Sequence, residues 1–272
     1  MSEQQIVKIV ADSINTFTGD RITTFVLPRF PKVLLQELNT HRAFSRNAAS
    51  SRAIPVEKMI ERVQSDPYIP KFTKAKKGMS GIEDDDQLFQ EESELTWLRT
   101  LDWAIQGARK LLDIGVHKQN ANRLLEPFAR VPVIVTATEW DNFFKLRCDQ
   151  AAHPDFREVA ILMQKAMARS EPVGVSVGAW HIPLFDESMI EVAPEVQRVM
   201  ATARCARVSY TRHDGSAPTL DDDRRLHNSL LENGHLSPFE HCAKAITRDP
   251  GTRNFRGWKS YRATLEDERL AP

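Results

Sequence analysis

Two short runs rich in β-branched residues, QIVKIVA at 5–11 and RITTFVL at 21–27, flank a Thr18-Gly19-Asp20 turn and predict a strand pair. From Pro31 the period changes. In PKVLLQELNTHRAFSRN, Val33, Leu34, Leu38 and Phe44 share one helical face. Proline suits a first helical turn, where its missing N–H would be unpaired anyway. A second helix is predicted from near Pro55 (VEKMIERVQ). From Leu95 onward, Leu98, Leu101, Ala104, Ala108, Leu111 and Leu112 recur at three- and four-residue steps, predicting a helix that ends at Gly115. TATEWDNFFKLRCDQA suits a buried helix through Trp140, Phe143, Phe144 and Leu146, and Pro154 opens another (PDFREVAILMQKAMARS). ARCARVSY at 203–210 reads as a strand or strand end. TLDDDRRLHNSLLENGH reads as a helix with Asp221, Asp222 and Asp223 in its first turn, where they complement the macrodipole, and Gly234 stops it.

One stretch fits neither period. Residues 66–92 carry prolines, glycines, a basic patch and an acidic run. An irregular segment of that length is a mobile linker or a lid ordered by substrate.

Composition narrows the function classes. The 272 residues hold 37 Lys plus Arg and 37 Asp plus Glu, a formal net charge of zero, with 41% hydrophobic residues. A chain this long can bury a core without staples, and zero net charge excludes a polycation built to coat nucleic acid. Cys148, Cys205 and Cys242 form no CxxC pair, so neither a disulfide framework nor a zinc ribbon is supported. No signal-peptide pattern and no apolar run of about 18 residues is present, so the reading is cytoplasmic, with no membrane span.

Three segments carry chemistry. THRAFSRNAASSR, 40–52, packs His41, Arg42, Ser45, Arg46, Asn47, Ser50, Ser51 and Arg52 together without an acid. On a helix, His41 and Ser45 would share one face, and Arg42 and Arg46 another. The residue types suit an anionic ligand, since arginine grips phosphate oxygens as a fork. A helix terminus whose polar residues cap and solvate would look the same. GHLSPFEH, 234–241, offers His235, Ser237, Glu240 and His241, but lacks the spacing of a helical zinc site. A polar turn lining a pocket, or a capped helix start, fits it better than a metal. NFFKLRCD, 142–149, sets Asn142 and Arg147 on an otherwise apolar helix, where the arginine either reaches solvent or is partnered in a pocket.

Together these segments resemble the flavin-dependent thymidylate synthases. That family's signature runs Arg-His-Arg-x-x-Ser-x-Asn-Glu-x-Ser-x-Arg, and His41, Arg42, Ser45, Asn47, Ser50 and Arg52 match it. GHLSPFEH resembles the family's flavin-binding turn and ARVSY, 206–210, the segment before it; NRLLEP and NFFKLRCD resemble later helices. The order differs: the family has ARVSY and the turn first, and here they come last. That implies a circular permutation, with residues 155–200 bridging the old termini and 254–268 left without a counterpart.

The resemblance implies an α/β fold, an antiparallel sheet flanked by long helices, as one permuted domain over 1–272. It implies FAD held by His41, Arg42, Asn142, Ser209, His235, Ser237 and Glu240. It implies a pyrimidine deoxynucleotide held by Glu37, Ser50, Arg52, Arg123 and Arg147, with Arg147, Ser50 and Arg52 in the catalytic set. Methylenetetrahydrofolate and NADPH are the implied co-substrates, and a homotetramer with shared sites the implied assembly. Thr40, Ala48 and Glu37 depart from the family's arginine, glutamate and upstream glutamine, and Thr136-Ala137-Thr138 replaces an expected Asn-x-Arg. The implied activity is methylation of dUMP to dTMP. Alternatives are hydroxymethylation of dUMP or dCMP at C5, and a non-catalytic paralogue that binds flavin or nucleotide.

Overall fold

The computed structural model describes residues 3–208, 218–248 and 254–270. After a single helical turn α1 (Glu3–Ile6), β1 (Lys8–Asn15) and β2 (Arg21–Pro31) pair antiparallel around the expected turn, with Gly19 at φ 78°. The helix expected from Pro31 is cut short. A 3-10 turn (Lys32–Leu34) and α2 (Leu35–Leu38) give way to an irregular turn and then to β3 (Ser45–Ala48). Thr40 Oγ1 donates to the Glu37 carbonyl, and the Arg46 guanidinium takes the carbonyls of Asn39, His41 and Phe44. Short polar side chains that bond nearby backbone compete with helix in this way. So His41 and Ser45 do not share a helical face, nor do Arg42 and Arg46.

α3 (Val56–Ser65) follows Pro55 as expected. Within 66–92, β4 (Thr73–Lys74) and β5 (Ile82–Glu83) form a small hairpin, and α4 (Gln87–Asp113) begins eight residues before Leu95. The start of this stretch is anchored: Tyr68 is buried, its hydroxyl donates to Asp155 at 2.6 Å, and its carbonyl accepts from Trp97 at 2.8 Å. Gly115, at φ 85°, follows α4. α5 (Lys118–Ala121) and a 3-10 segment (Asn122–Phe128) lead into β6 (Arg130–Ala137), a strand that the sequence reading passed over. Pro132 sits in β6 where the β2 ladder is interrupted between Leu27 and Phe30, so its missing N–H breaks no regular pair.

α6 (Asp141–Arg147) buries Trp140 and Phe143 but leaves Leu146 exposed, against expectation. α7 (Pro154–Arg169) starts at its proline, and β7 (Val173–Val175) and β8 (Trp180–His181) follow. ARCARV is helical, not a strand: α8 (Pro194–Val208) buries Met200, Ala201, Thr202, Ala203, Cys205 and Ala206. Small side chains there allow burial on most sides while keeping good helix propensity. α9 (Leu220–Glu232) has the expected acid-rich start and a capping box between Thr219 and Asp222, although Asp223 is buried against Arg207. Last come β9 (Ala243–Ala245), β10 (Trp258–Ser260) and α10 (Tyr261–Leu270).

The main sheet runs β3-β6-β2-β1-β7, antiparallel except that β7 lies parallel to β1. One face is apolar: Phe25, Leu27, Val133, Val135 and Ala137 pack on Phe156, Val159, Ala160 and Met163 of α7. The other face meets the β10-β9-β8 sheet, where Ile22 packs with Ala243, Ala245, Phe255 and Trp258. The first turn is locked from this side. Asn15 Nδ2 donates to the carbonyls of Ile246 and Gly257, and Trp258 Nε1 to that of Asp20. Gly257 sits at φ 70°, and a Cβ there would lie 2.3 Å from Asp20 Oδ2. Only glycine fits so close an approach at positive φ.

Candidate functional site

The aromatic residues of α6 make a rigid floor. Phe143 is buried among His41, Phe44, Trp140, Phe144 and Phe156, with ring centroids 5.0–6.0 Å apart. On this floor stands Arg147, its guanidinium 4.9 Å from the Phe156 ring centre and its side chain only 17% exposed. Its Nε donates to His41 Nε2 at 2.9 Å and Nη1 to Glu37 Oε2 at 2.8 Å. Nη2 donates to the Glu37 carbonyl and to Thr40 Oγ1, both at 3.2 Å. Four of the five guanidinium N–H groups are thus taken, leaving one on Nη1 without an acceptor among the described residues. Since His41 Nε2 accepts, the ring is neutral with its proton on Nδ1. Burial, then the charges of Arg147 and Arg46, lower its pKa to about 4.

Beside this cluster, across the turn wrapped on Arg46, opens a cleft of about 480 Å³. Leu35, Leu38, Phe44 and Val133 give it an apolar lining, and Asn39, Arg46, Asn47, Ser237 and Glu240 supply polar groups. That mix is typical of small-molecule sites. Asn47 Nδ2 donates to Ser237 Oγ at 3.1 Å, so the 237–240 turn returns to the signature strand β3. Glu240 accepts from Arg262 at 2.7 Å.

A third group lies along the 3-10 turn Ser51–Ala53. Glu126 accepts from Arg123 at 2.9 Å and from Ser51 at 2.5 Å. Burial pushes the Glu126 pKa up, but these two hydrogen bonds together with the charges of Lys32 and Arg123 outweigh it and hold the carboxyl below its usual range. Ser50 and Arg52 are exposed on either side of Ser51, and a cavity of about 410 Å³ lined by Ser50 but not by Arg52 opens between Arg29, Lys32, Arg62 and Arg130.

The structure therefore brings Glu37, His41 and Arg147 together, and sets Ser237 and Glu240 on one cleft. Arg42, Asn142 and His235 are exposed and do not line that cleft. Arg52 and Arg123 share no hydrogen bond or ion pair with Arg147 among the described residues, and Ser209 lies outside those residues. The sequence reading placed Arg46 and Asn47 in a group suited to an anionic ligand but gave Asn47 no specific role, and it missed Asn39 as a cleft residue. Asn47 stood in the matched signature, which was the available signal. All three cysteines are free; burial raises their thiols, that of Cys242 to about 12, so none is a ready nucleophile. Among the described residues no group of three His, Cys, Asp or Glu could hold a metal, and no helix is long and apolar enough to cross a membrane.

Residues 20–173 match the family model described as thymidylate synthase complementing protein. A flavin-dependent thymidylate synthase from Pyrococcus furiosus is 26% identical over 173 residues, 63% of this chain. The match spans 64% of that relative's length. Among solved structures, a UMP/dUMP methylase from Streptomyces cacaoi bound with 5-Br UMP aligns at TM-score 0.45 and 18% identity, over 60% of this chain and 88% of that one. A flavin-dependent thymidylate synthase from Helicobacter pylori complexed with FAD and dUMP aligns at TM-score 0.38 and 18% identity, over 54% and 67%.

Proposed function

Because this chain belongs to the thymidylate synthase complementing protein family, we propose that it transfers a one-carbon unit from methylenetetrahydrofolate to C5 of a pyrimidine deoxynucleotide. FAD is the cofactor and NADPH the reductant, and the default reaction turns dUMP into dTMP. The observation that carries this reading is Arg147, a cation fixed by four hydrogen bonds and a ring contact, with one N–H left over. When C5 of a pyrimidine becomes nucleophilic, charge moves toward a ring carbonyl. A preplaced N–H there stabilises the transition state more than the ground state.

The cleft fits a flavin in its donor set, with apolar side chains for a ring system and Asn47 and Ser237 for its polar edge. Bound flavin supplies the reducing electrons, which removes the need for a cysteine nucleophile. Neutral His41 orients Arg147 and takes up no proton at neutral pH. Exposed Arg42 and His235 are left to meet phosphate and folate, and Ser50, Arg52 and Arg123 the nucleotide. Within one copy these last residues are tied to Glu126 or to solvent, which supports sites shared between subunits of a homotetramer.

The permutation belongs to the same reading: one domain whose flavin turn follows the signature instead of preceding it. Two facts support it. The family match ends at residue 173, and the turn beyond that point packs on β3 across 190 residues of chain.

Glu37 favours a second substrate. Its carboxylate lies on Arg147, and Oε1 has no acceptor role among the described hydrogen bonds. A carboxylate repels a uracil carbonyl but accepts from the exocyclic amine of cytosine, so dCMP, with methyl or hydroxymethyl as product, is the alternative. Incubation of the purified protein with methylenetetrahydrofolate, NADPH and either nucleotide, followed by product mass, decides between them. Bound flavin without product from either would leave a non-catalytic binding protein.

A further inference from the structure

A row of polar side chains crosses the main sheet on the face opposite the aromatic core, and two buried histidines join it into one chain. Ser13 Oγ lies 2.8 Å from His181 Nδ1, and His181 Nε2 lies 2.8 Å from Thr24 Oγ1. Thr24 Oγ1 is 2.7 Å from Thr136 Oγ1, which is 2.8 Å from His241 Nδ1. His241 Nε2 then reaches Asn47 Oδ1 at 3.2 Å, and the Asn47 amide donates to Ser237 in the cleft. Strand register makes the row continuous. Thr24 stands directly opposite Thr136, as does Ser45, two residues before Asn47 on the same face. Ala11 pairs with Thr24, and Ser13 follows Ala11 by two.

Each hydroxyl has one hydrogen and each neutral imidazole one N–H, so a choice at one end fixes every link. Asn47 Oδ1 can only accept, which puts the His241 proton on Nε2 and makes Nδ1 an acceptor. Thr136 must then donate to His241 and accept from Thr24. Thr24 in turn accepts from His181 Nε2–H, and Ser13 donates to His181 Nδ1. Reversing one link alone would leave two donors or two acceptors face to face in a dry site. Burial, the largest influence on both rings, keeps them neutral, each with its pKa lowered to about 3.

We propose that Ser13, His181, Thr24, Thr136 and His241 act as one positioning network that holds the Asn47 amide in a single orientation, so that the Ser237 hydroxyl, already accepting from Asn47, presents its hydrogen to an acceptor atom of the ligand in the cleft. This rests on the reading of the cleft as the FAD site. The residues touch no ligand themselves. They decide whether the cleft offers a donor or an acceptor at Ser237.

The test uses the full chain and reads two quantities in the same variants. Long-range proton–nitrogen NMR spectra report the tautomers of His181 and His241, and titration reports affinity for FAD. Both rings are expected in the Nε2–H form. Thr24→Val is expected to change the His241 nitrogen shifts from two hydrogen bonds away and to weaken FAD binding about 3- to 10-fold, the range for one lost hydrogen bond. Thr24→Ser is expected to restore both. If Thr24→Val does not fold, Ser13→Ala at the far end carries the same two expectations. An Nδ1–H form in the parent protein overturns the proposal, as do unchanged His241 shifts in the folded variant or a tautomer change with unchanged FAD affinity. A parent protein that binds no FAD overturns the flavin reading, and the tautomer shifts then decide the network alone.

Discussion

Arg147 and Glu37 define the chemistry available to a nucleotide base. Arg147→Ala is expected to abolish turnover while FAD stays bound, read by product formation and flavin absorbance; near-normal turnover would refute the role given to the guanidinium. Arg147→Lys should fare little better, because an ammonium cannot match a planar fork held by acceptors on three side chains. Glu37→Gln keeps a hydrogen bond to Arg147 but offers an amide where the carboxylate stood. We expect it to raise the ratio of kcat/KM for dUMP over dCMP about tenfold or more, as for one charged hydrogen bond. No change in that ratio would mean that Glu37 does not reach the base. Much of this site was legible because its residues cluster in sequence: His41 and its neighbours lie within thirteen positions, and Arg147 stands alone among aromatics. The His181–Thr24–Thr136 row was not legible. Threonines in strands are commonplace, and only the register reveals that they face one another.

The segments that fold alone were read best. The first hairpin has its turn glycine, α7 its initial proline and α9 its capping box, all local signals. Elements defined by distant partners were misread. β3 is four polar or small residues that become a strand only because β6 lies alongside, and α8 is a run of small residues whose helix is set by what packs around it. The same distinction ranks the elements by what they support. α6 is only seven residues long, and its own hydrogen bonds would not sustain it; the aromatic cluster does. Phe143→Ala should therefore cost about 3–5 kcal/mol in denaturant unfolding, the usual range for a buried phenylalanine. It should also release His41 and Arg147 together. A loss below 1 kcal/mol would show that the cluster does not hold the site.

For the molecule as a whole, a neutral net charge conceals four histidines kept uncharged by burial: His41, His181, His227 and His241. Their folded pKa values lie below the unfolded value, so the unfolded chain binds more protons in acid. Stability is then complete above about pH 6.5 and falls as pH drops toward 4 for His41 and toward 3 for His181 and His241. Urea unfolding across that range should show this slope, and His41→Asn should flatten it between pH 4 and 6.5; an unaltered slope would remove His41 from the account.

The lock between Asn15 and Gly257 closes a loop of 242 residues. During synthesis the first hairpin emerges long before residues 246 and 257, whose carbonyls accept from its buried amide. Translation order and assembly order are therefore opposed in this chain. The first hairpin must wait, with that amide left to water, until residue 257 has been made. Chains arrested before Asn254 lack the bonds that fix the turn backbone, and should accordingly be cut by protease in the 15–20 turn faster than the 272-residue chain.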